Sequence, residues 1–162
     1  MTSQNRSRII GATSAAVLGN AVVGTLATDT SSWWYRTLKK PAIQPPTWVF
    51  PAAWTLLYVD TAAVVGQSLA DLDERGDTEE YEALKKALGI NIMLNAGWSA
   101  LFFRGKKPGL ATLEAGALAA STADLVRRSR AVNRNRGTWL APYAAWTAFA
   151  TVLTGAIWWQ NR

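Results

Sequence analysis

Charge lies along this chain in blocks, and that distribution restricts the possible folds more than any other feature. The 162 residues include 17 Lys and Arg and 11 Asp and Glu. Ten charges fall within residues 71–86 and five within 127–136, with smaller groups at 36–40 and 104–107. Between the blocks the chain is almost bare. Residues 9–28, 87–103 and 137–161 carry no charge, residues 41–70 carry only Asp60, and residues 108–126 carry only Glu114 and Asp124. A soluble helix places charge on its wet face every three or four positions. These segments have no such face, and each has about the 20 residues that a helix needs to cross a hydrocarbon core of about 30 Å. The expectation is an all-α membrane protein, a five-transmembrane-helix bundle forming one domain over residues 1–162. Its spans are placed near 9–28, 46–70, 84–103, 108–126 and 138–160. A mean hydropathy of +0.02 is then the average of two very different kinds of segment.

Missing residue types narrow the chemistry. There is no Cys and no His, which excludes disulfides, thiolate or imidazole metal sites, a His-based hydrolase triad and a His-ligated haem. No metal site and no required cofactor are expected. The net charge of +6 calls for no nucleic acid, because Lys and Arg flank membrane spans as anchors and topology signals. Counting them loop by loop gives ten on the side of the N-terminus and seven on the other, which favours a cytoplasmic N-terminus. The first apolar run follows Arg6 and Arg8 but exceeds the 7–15 residues of a signal-peptide core, so it is read as a span. The acidic stretch 71–82 is read as a solvated connector.

Nine Trp are several times a normal share. Trp33, Trp158 and Trp159 fall at span ends, where aromatic belts form; Trp34, Trp48 and Trp139 fit either that role or an inward one. Within the spans, Asn91, Asn95, Trp98 and Phe102 share one helical face by their spacing, as do Trp139, Tyr143, Trp146, Ala150 and Leu153. Trp54 and Tyr58 are paired at i, i+4. Three such faces either pack on one another or enclose a flat apolar pocket suited to stacking on planar ligands. Asp60, Glu114 and Asp124 are acids within spans, where each is a functional candidate by default. Small residues such as Ala12, Ala16, Gly19 and Gly24 let helices approach closely in lipid. Four prolines, Pro41, Pro45, Pro46 and Pro51, stiffen the first loop, as a lid or as a plain connector.

Several of these strings resemble one known family. Trp34-Tyr35, Leu38, Lys40-Pro41, Pro45-Pro46, Trp48-Val49-Phe50-Pro51 and Trp54-Thr55-Leu56-Leu57-Tyr58 are similar to the first loop and second helix of the tryptophan-rich sensory protein family. That family is also called the translocator protein or peripheral-type benzodiazepine receptor family. Leu94-Asn95 with Trp98 and Phe102-Phe103 resembles its third helix, and Pro142-Tyr143, Trp146 and Phe149-Ala150-Thr151 its fifth. The resemblance implies a bacterial-type member in the cell membrane, as a homodimer, with a pocket for porphyrins (protoporphyrin IX or haem) and for isoquinoline or benzodiazepine compounds. By motif match the pocket takes Tyr35, Pro45 and Pro46 from the loop, and Trp54 and Tyr58 from the second helix. Asn95, Trp98, Ser99 and Phe102 come from the third, and Trp146, Ala150 and Leu153 from the fifth. The resemblance also implies an alternative function, light- and oxygen-dependent porphyrin degradation with Trp54 and Trp146 as the catalytic pair. A proton- or ion-coupled transporter using Asp60 and Glu114 is a third reading. Departures are Ile43, where the family's loop carries Trp, and Gly155 and Trp159, where mammalian members carry the Tyr and Arg of a sterol-contact pattern. Glu114 stands for the family's fourth-helix Asp.

Overall fold

A computed structural model describes residues 3–162, and among them there is no strand. Seven α-helices follow one another: α1 (Ser3–Ala27), α2 (Trp33–Thr37), α3 (Val49–Glu74), α4 (Thr78–Ser99), α5 (Pro108–Val132), α6 (Arg134–Thr138) and α7 (Ala141–Gln160). Helix α4 runs on into a π-helical turn at Ala100–Arg104. The five long helices form one bundle, in which α5 packs against α7 and α4, and α1 packs against α3 and α4.

The element boundaries have local causes. Ser32 caps α2 by accepting from the Tyr35 N–H at 3.3 Å, and Asn133 caps α6 by accepting from the Arg136 N–H at 3.0 Å, each satisfying a donor that a helix start leaves free. Pro108 opens α5, where a missing N–H costs nothing. Helix α3 stops at Gly76, whose φ of +71° is the left-handed conformation a tight helix–helix turn needs.

Burial follows stripes. On α1, Thr13, Val17, Asn20 and Ala27 are buried, while Leu18, Val22, Val23 and Leu26 are each more than half exposed. An apolar outer face is what a helix shows when its solvent is hydrocarbon. Among the described residues, three segments are long and apolar enough to cross a membrane: Gln4–Ala27, Val49–Glu74 and Arg134–Gln160. Helices α4 and α5 have the length but not the apolarity, because α4 opens on the charged run 79–86 and α5 carries Glu114, Asp124 and several hydroxyls.

The interior has two halves. One end of the bundle, called here the far end, is filled by an aliphatic cluster including Val17, Val65, Leu69, Leu84, Leu88, Leu125 and Leu140. The other half is aromatic, built around Phe102, Phe103, Leu153 and Ile157 with Trp34, Tyr35, Phe50 and Trp98 against them. Between them lies a layer of amides and hydroxyls. The Tyr143 hydroxyl donates to Asn91 Oδ1 at 2.8 Å, and Asn91 Nδ2 donates to Thr122 Oγ1 at 3.0 Å. In lipid such interhelical bonds are worth about 0.6 kcal/mol each, reaching roughly 1.7.

The far end corrects one expectation in part. The acidic stretch 71–82 is solvated over residues 74–80, as expected, but only residues 75–77 leave the helices, and its Asp71 end is tied into the bundle. Asp71, on the last turn of α3, accepts from Arg6 of α1 at 3.0 Å and from Arg136 of α6. Arg6 also reaches Glu74 at 3.0 Å, and Arg136 donates to Gln67 Oε1 at 3.3 Å. Asp124 is no lone intramembrane acid either; it pairs with Arg128 at 2.7 Å and with Arg127 at 2.6 Å.

Candidate ligand-binding site

At the end opposite this ionic cluster, the helices part around a cavity of about 380 Å³. That falls in the range of small-molecule pockets, roughly 300–1,000 Å³. Helix α3 brings Trp54 and Tyr58, stacked on each other with ring centroids 5.5 Å apart and planes at 27°. The end of α4 brings Asn95, Trp98 and Ser99, and its π-helical turn brings Phe102; Trp98 and Phe102 are stacked at 5.7 Å and 17°. Helix α7 brings Trp146, Ala150 and Leu153, and α2 brings Tyr35. Ten of the twelve residues expected at a ligand site therefore meet around one space.

Pro45 and Pro46 do not line it. Their neighbours Gln44 and Thr47 do, so the prolines shape the segment while the flanking side chains face inward. Trp139 is 70% exposed, and Tyr143 lies below the cavity in the polar layer, so the aromatic face of α7 begins only at Trp146. Trp54 and Trp146 touch edge to face, with centroids 6.5 Å apart and planes at 89°. They make one corner of the site rather than two facing walls. Of the unassigned tryptophans, Trp34 turns inward and meets Phe102 edge-on at 5.6 Å, while Trp48 lies outside with 71% exposure. Trp33, Trp158 and Trp159 are exposed, as belt residues are. Asp60 and Glu114 do not line the cavity: Glu114 reaches across to the α4 backbone at Gly97, and Asp60 keeps one buried carboxylate oxygen without a partner.

Sequence reasoning missed the contribution of α1. Ala21, Gly24, Thr25 and Thr28 form a small-residue wall at i, i+3, i+4 and i+7. Their spacing is readable, but small residues signal close packing as readily as a cavity. It also missed Gln44, Phe50 and Phe103. Phe103 follows Phe102 directly, yet both are buried. The cause is the π-turn, in which the Gly105 N–H bonds to Ala100 O, five residues back, at 2.8 Å. The extra residue rotates the chain so that neighbouring side chains both turn inward.

Polar groups in the cavity are few and placed. Asn95 Oδ1 accepts from Tyr58 Oη at 2.9 Å and from Asn20 Nδ2 at 3.1 Å, forming the floor. Trp98 Nε1 donates to Thr154 Oγ1 at 3.3 Å. Two buried atoms on lining residues have no partner: the indole N–H of Trp146 and the amide oxygen of Gln44. Both atoms are enclosed by protein, on residues whose other atoms line the cavity. At the mouth, burial pushes the Tyr35 phenol above its ordinary pKa. The Lys40 ammonium sits 4.7 Å from its ring centre.

The sequence matches the TspO/MBR family over residues 12–160. The chain belongs to that family. Among its relatives are the tryptophan-rich protein TspO of Chlorobaculum tepidum, 32% identical over 78% of this chain and 78% of its own; the human translocator protein, 32% identical over 80% of this chain and 75% of its own; and the protein CrtK of Rhodobacter capsulatus, 31% identical over 79% and 78%. This TspO/MBR protein is accordingly a membrane protein, and the first-loop, α3, α4 and α7 strings that carry the resemblance are the segments that build its cavity.

Proposed function

We propose that this TspO/MBR protein is a receptor or carrier for tetrapyrroles of the porphyrin class, protoporphyrin IX or haem, bound in the aromatic cavity under the first loop. Isoquinoline and benzodiazepine compounds share the flat apolar shape and compete for the same space. In this reading α1, α3, α4, α5 and α7 all cross the bilayer of a bacterial cell, the N-terminus is cytoplasmic, and two copies associate as a homodimer. One observation carries the proposal: two stacked aromatic pairs, Trp54–Tyr58 and Trp98–Phe102, line one mostly apolar cavity beside the unpaired Trp146 N–H. Planar ligands gain from offset stacking and edge contacts with such rings. With no His in the chain, the ring is held by stacking and shape rather than by an imidazole ligand to its metal.

The test is a titration of purified protein with protoporphyrin IX, following Trp fluorescence. Saturable quenching is expected, weakened at least tenfold in Trp54→Ala and in Trp146→Ala. Quenching that never saturates, or that is unchanged from wild type in both variants, overturns the reading.

A further inference from the structure

The two ends of the bundle differ in charge. Around the cavity mouth stand seven Lys and Arg and one acid, Asp29, against ten and eight at the far end. Part of this excess is organised. A second cleft lies beside the cavity, lined by residues 26–29 at the end of α1, by Ser32, and by Phe103, Arg104 and Lys106. Thr28 and Phe103 line both spaces, so a single wall separates them. Arg104 is fixed there: its Nη2 donates to Leu26 O at 2.9 Å, joining the π-turn to the last turn of α1. Lys106 holds the left-handed conformation at φ +52°, uncommon for a residue with a side chain. Asp29 Oδ1 is engaged locally, accepting from the Ser31 N–H at 3.1 Å and from Ser31 Oγ at 2.7 Å. Among the described residues neither Arg104 nor Lys106 has an ion-pair partner within 4.0 Å. Two cations beside an apolar cavity, with one locally engaged acid, leave a net positive cleft.

We propose that this cleft is an acid-recognition subsite, in which a carboxylate on the ligand's rim crosses the Thr28–Phe103 wall and is held by Arg104 and Lys106. The inference rests on the porphyrin reading for the ring and adds the feature that separates acidic tetrapyrroles from their neutral analogues. Guanidinium suits a carboxylate because its N–H groups match the two oxygens, and the ammonium adds a second charge. The groups are exposed, so each contributes modestly. The effect is one of selectivity.

The experiment compares protoporphyrin IX with its dimethyl ester, which keeps the ring and removes both charges. Full-length protein is placed in bilayer discs of zwitterionic lipid, and a parallel set contains anionic lipid. Arg104→Gln with Lys106→Gln is expected to weaken the acid about tenfold and the ester less than twofold. Measuring each ligand against the same wild type cancels their different partitioning into lipid. Asp29→Asn, which removes the opposing charge, is expected to tighten the acid about threefold without moving the ester. Lys85→Gln at the far end should change neither. Equal effects on acid and ester, or none on the acid, overturn the subsite while leaving ring binding in place. An acid-selective loss seen only with anionic lipid assigns the cleft to a headgroup and also overturns it. If neither compound binds wild type saturably, the porphyrin reading fails and this inference falls with it.

Discussion

Trp146 shows how much one side chain carries in this site. Its ring meets Trp54 and Phe50 edge-on and Phe149 at a tilt, and its N–H is buried without an acceptor. Leaving a donor unmet in an apolar setting costs about 1–3 kcal/mol, part of which a ligand acceptor would recover. Trp146→Phe keeps an aromatic wall and removes only that donor. It should weaken porphyrin binding by roughly fivefold, less than Trp146→Ala, in the same fluorescence titration; equal losses would place the whole effect in the ring. Residues of this kind were legible in the sequence because large aromatics at helical spacing and in dense motifs are rare. Gln44, Ala21 and Thr25 were not, since nothing in a small or amide side chain distinguishes a cavity wall from a packed seam. Pro45 and Pro46 show the reverse, a conspicuous signal for loop shape that says little about which side chains face inward.

Among the elements, the first loop depends on a residue 122 positions away. The Asn161 amide accepts from the Lys39 N–H at 2.9 Å and donates to Lys39 O at 2.9 Å and to Ile157 O at 2.7 Å. That two-point grip ties the segment between Tyr35 and Gln44 to the end of α7. The prolines stiffen the segment, and Asn161 fixes where it lies. Each such bond is worth about 0.5–1.5 kcal/mol, discounted here because the site is wet. Asn161→Ala should therefore speed porphyrin dissociation about three- to tenfold with little change in unfolding temperature. Stopped-flow release is the measurement, and an unchanged rate would mean the loop holds its place without the strap. Sequence patterning located the helices well, since a long uncharged run leaves few alternatives. It read residues 71–82 as a solvated connector, which holds for the exposed residues 74–80; Asp71 departs from that reading because its partners, Arg6 and Arg136, are distant in the chain.

For the whole molecule, the far end is a closed ionic assembly. Asp71 joins α1, α3 and α6, with side-chain exposures of 19% for Asp71, 17% for Arg136 and 34% for Arg6. Removing one member of a half-buried pair leaves charge without compensation, which costs about 2 kcal/mol here, below the 3–5 of a fully buried pair. Asp71→Asn should thus lower the unfolding temperature by several degrees. Glu82→Gln, in the exposed pair with Lys85, should barely move it, and equal shifts would deny the cluster any special role. The asymmetry between the halves has a mechanical consequence. The aliphatic cluster and the ion pairs make one half a fixed jaw. The aromatic half is bounded by a short helix, a loop and a π-turn, whose backbones yield at lower cost. The layer of Asn91, Asn95, Tyr58 and Tyr143 marks the boundary between them. If the cavity takes the bulky guest proposed above, the expected route is flexing of one rim of the bundle while the closed half stays in register.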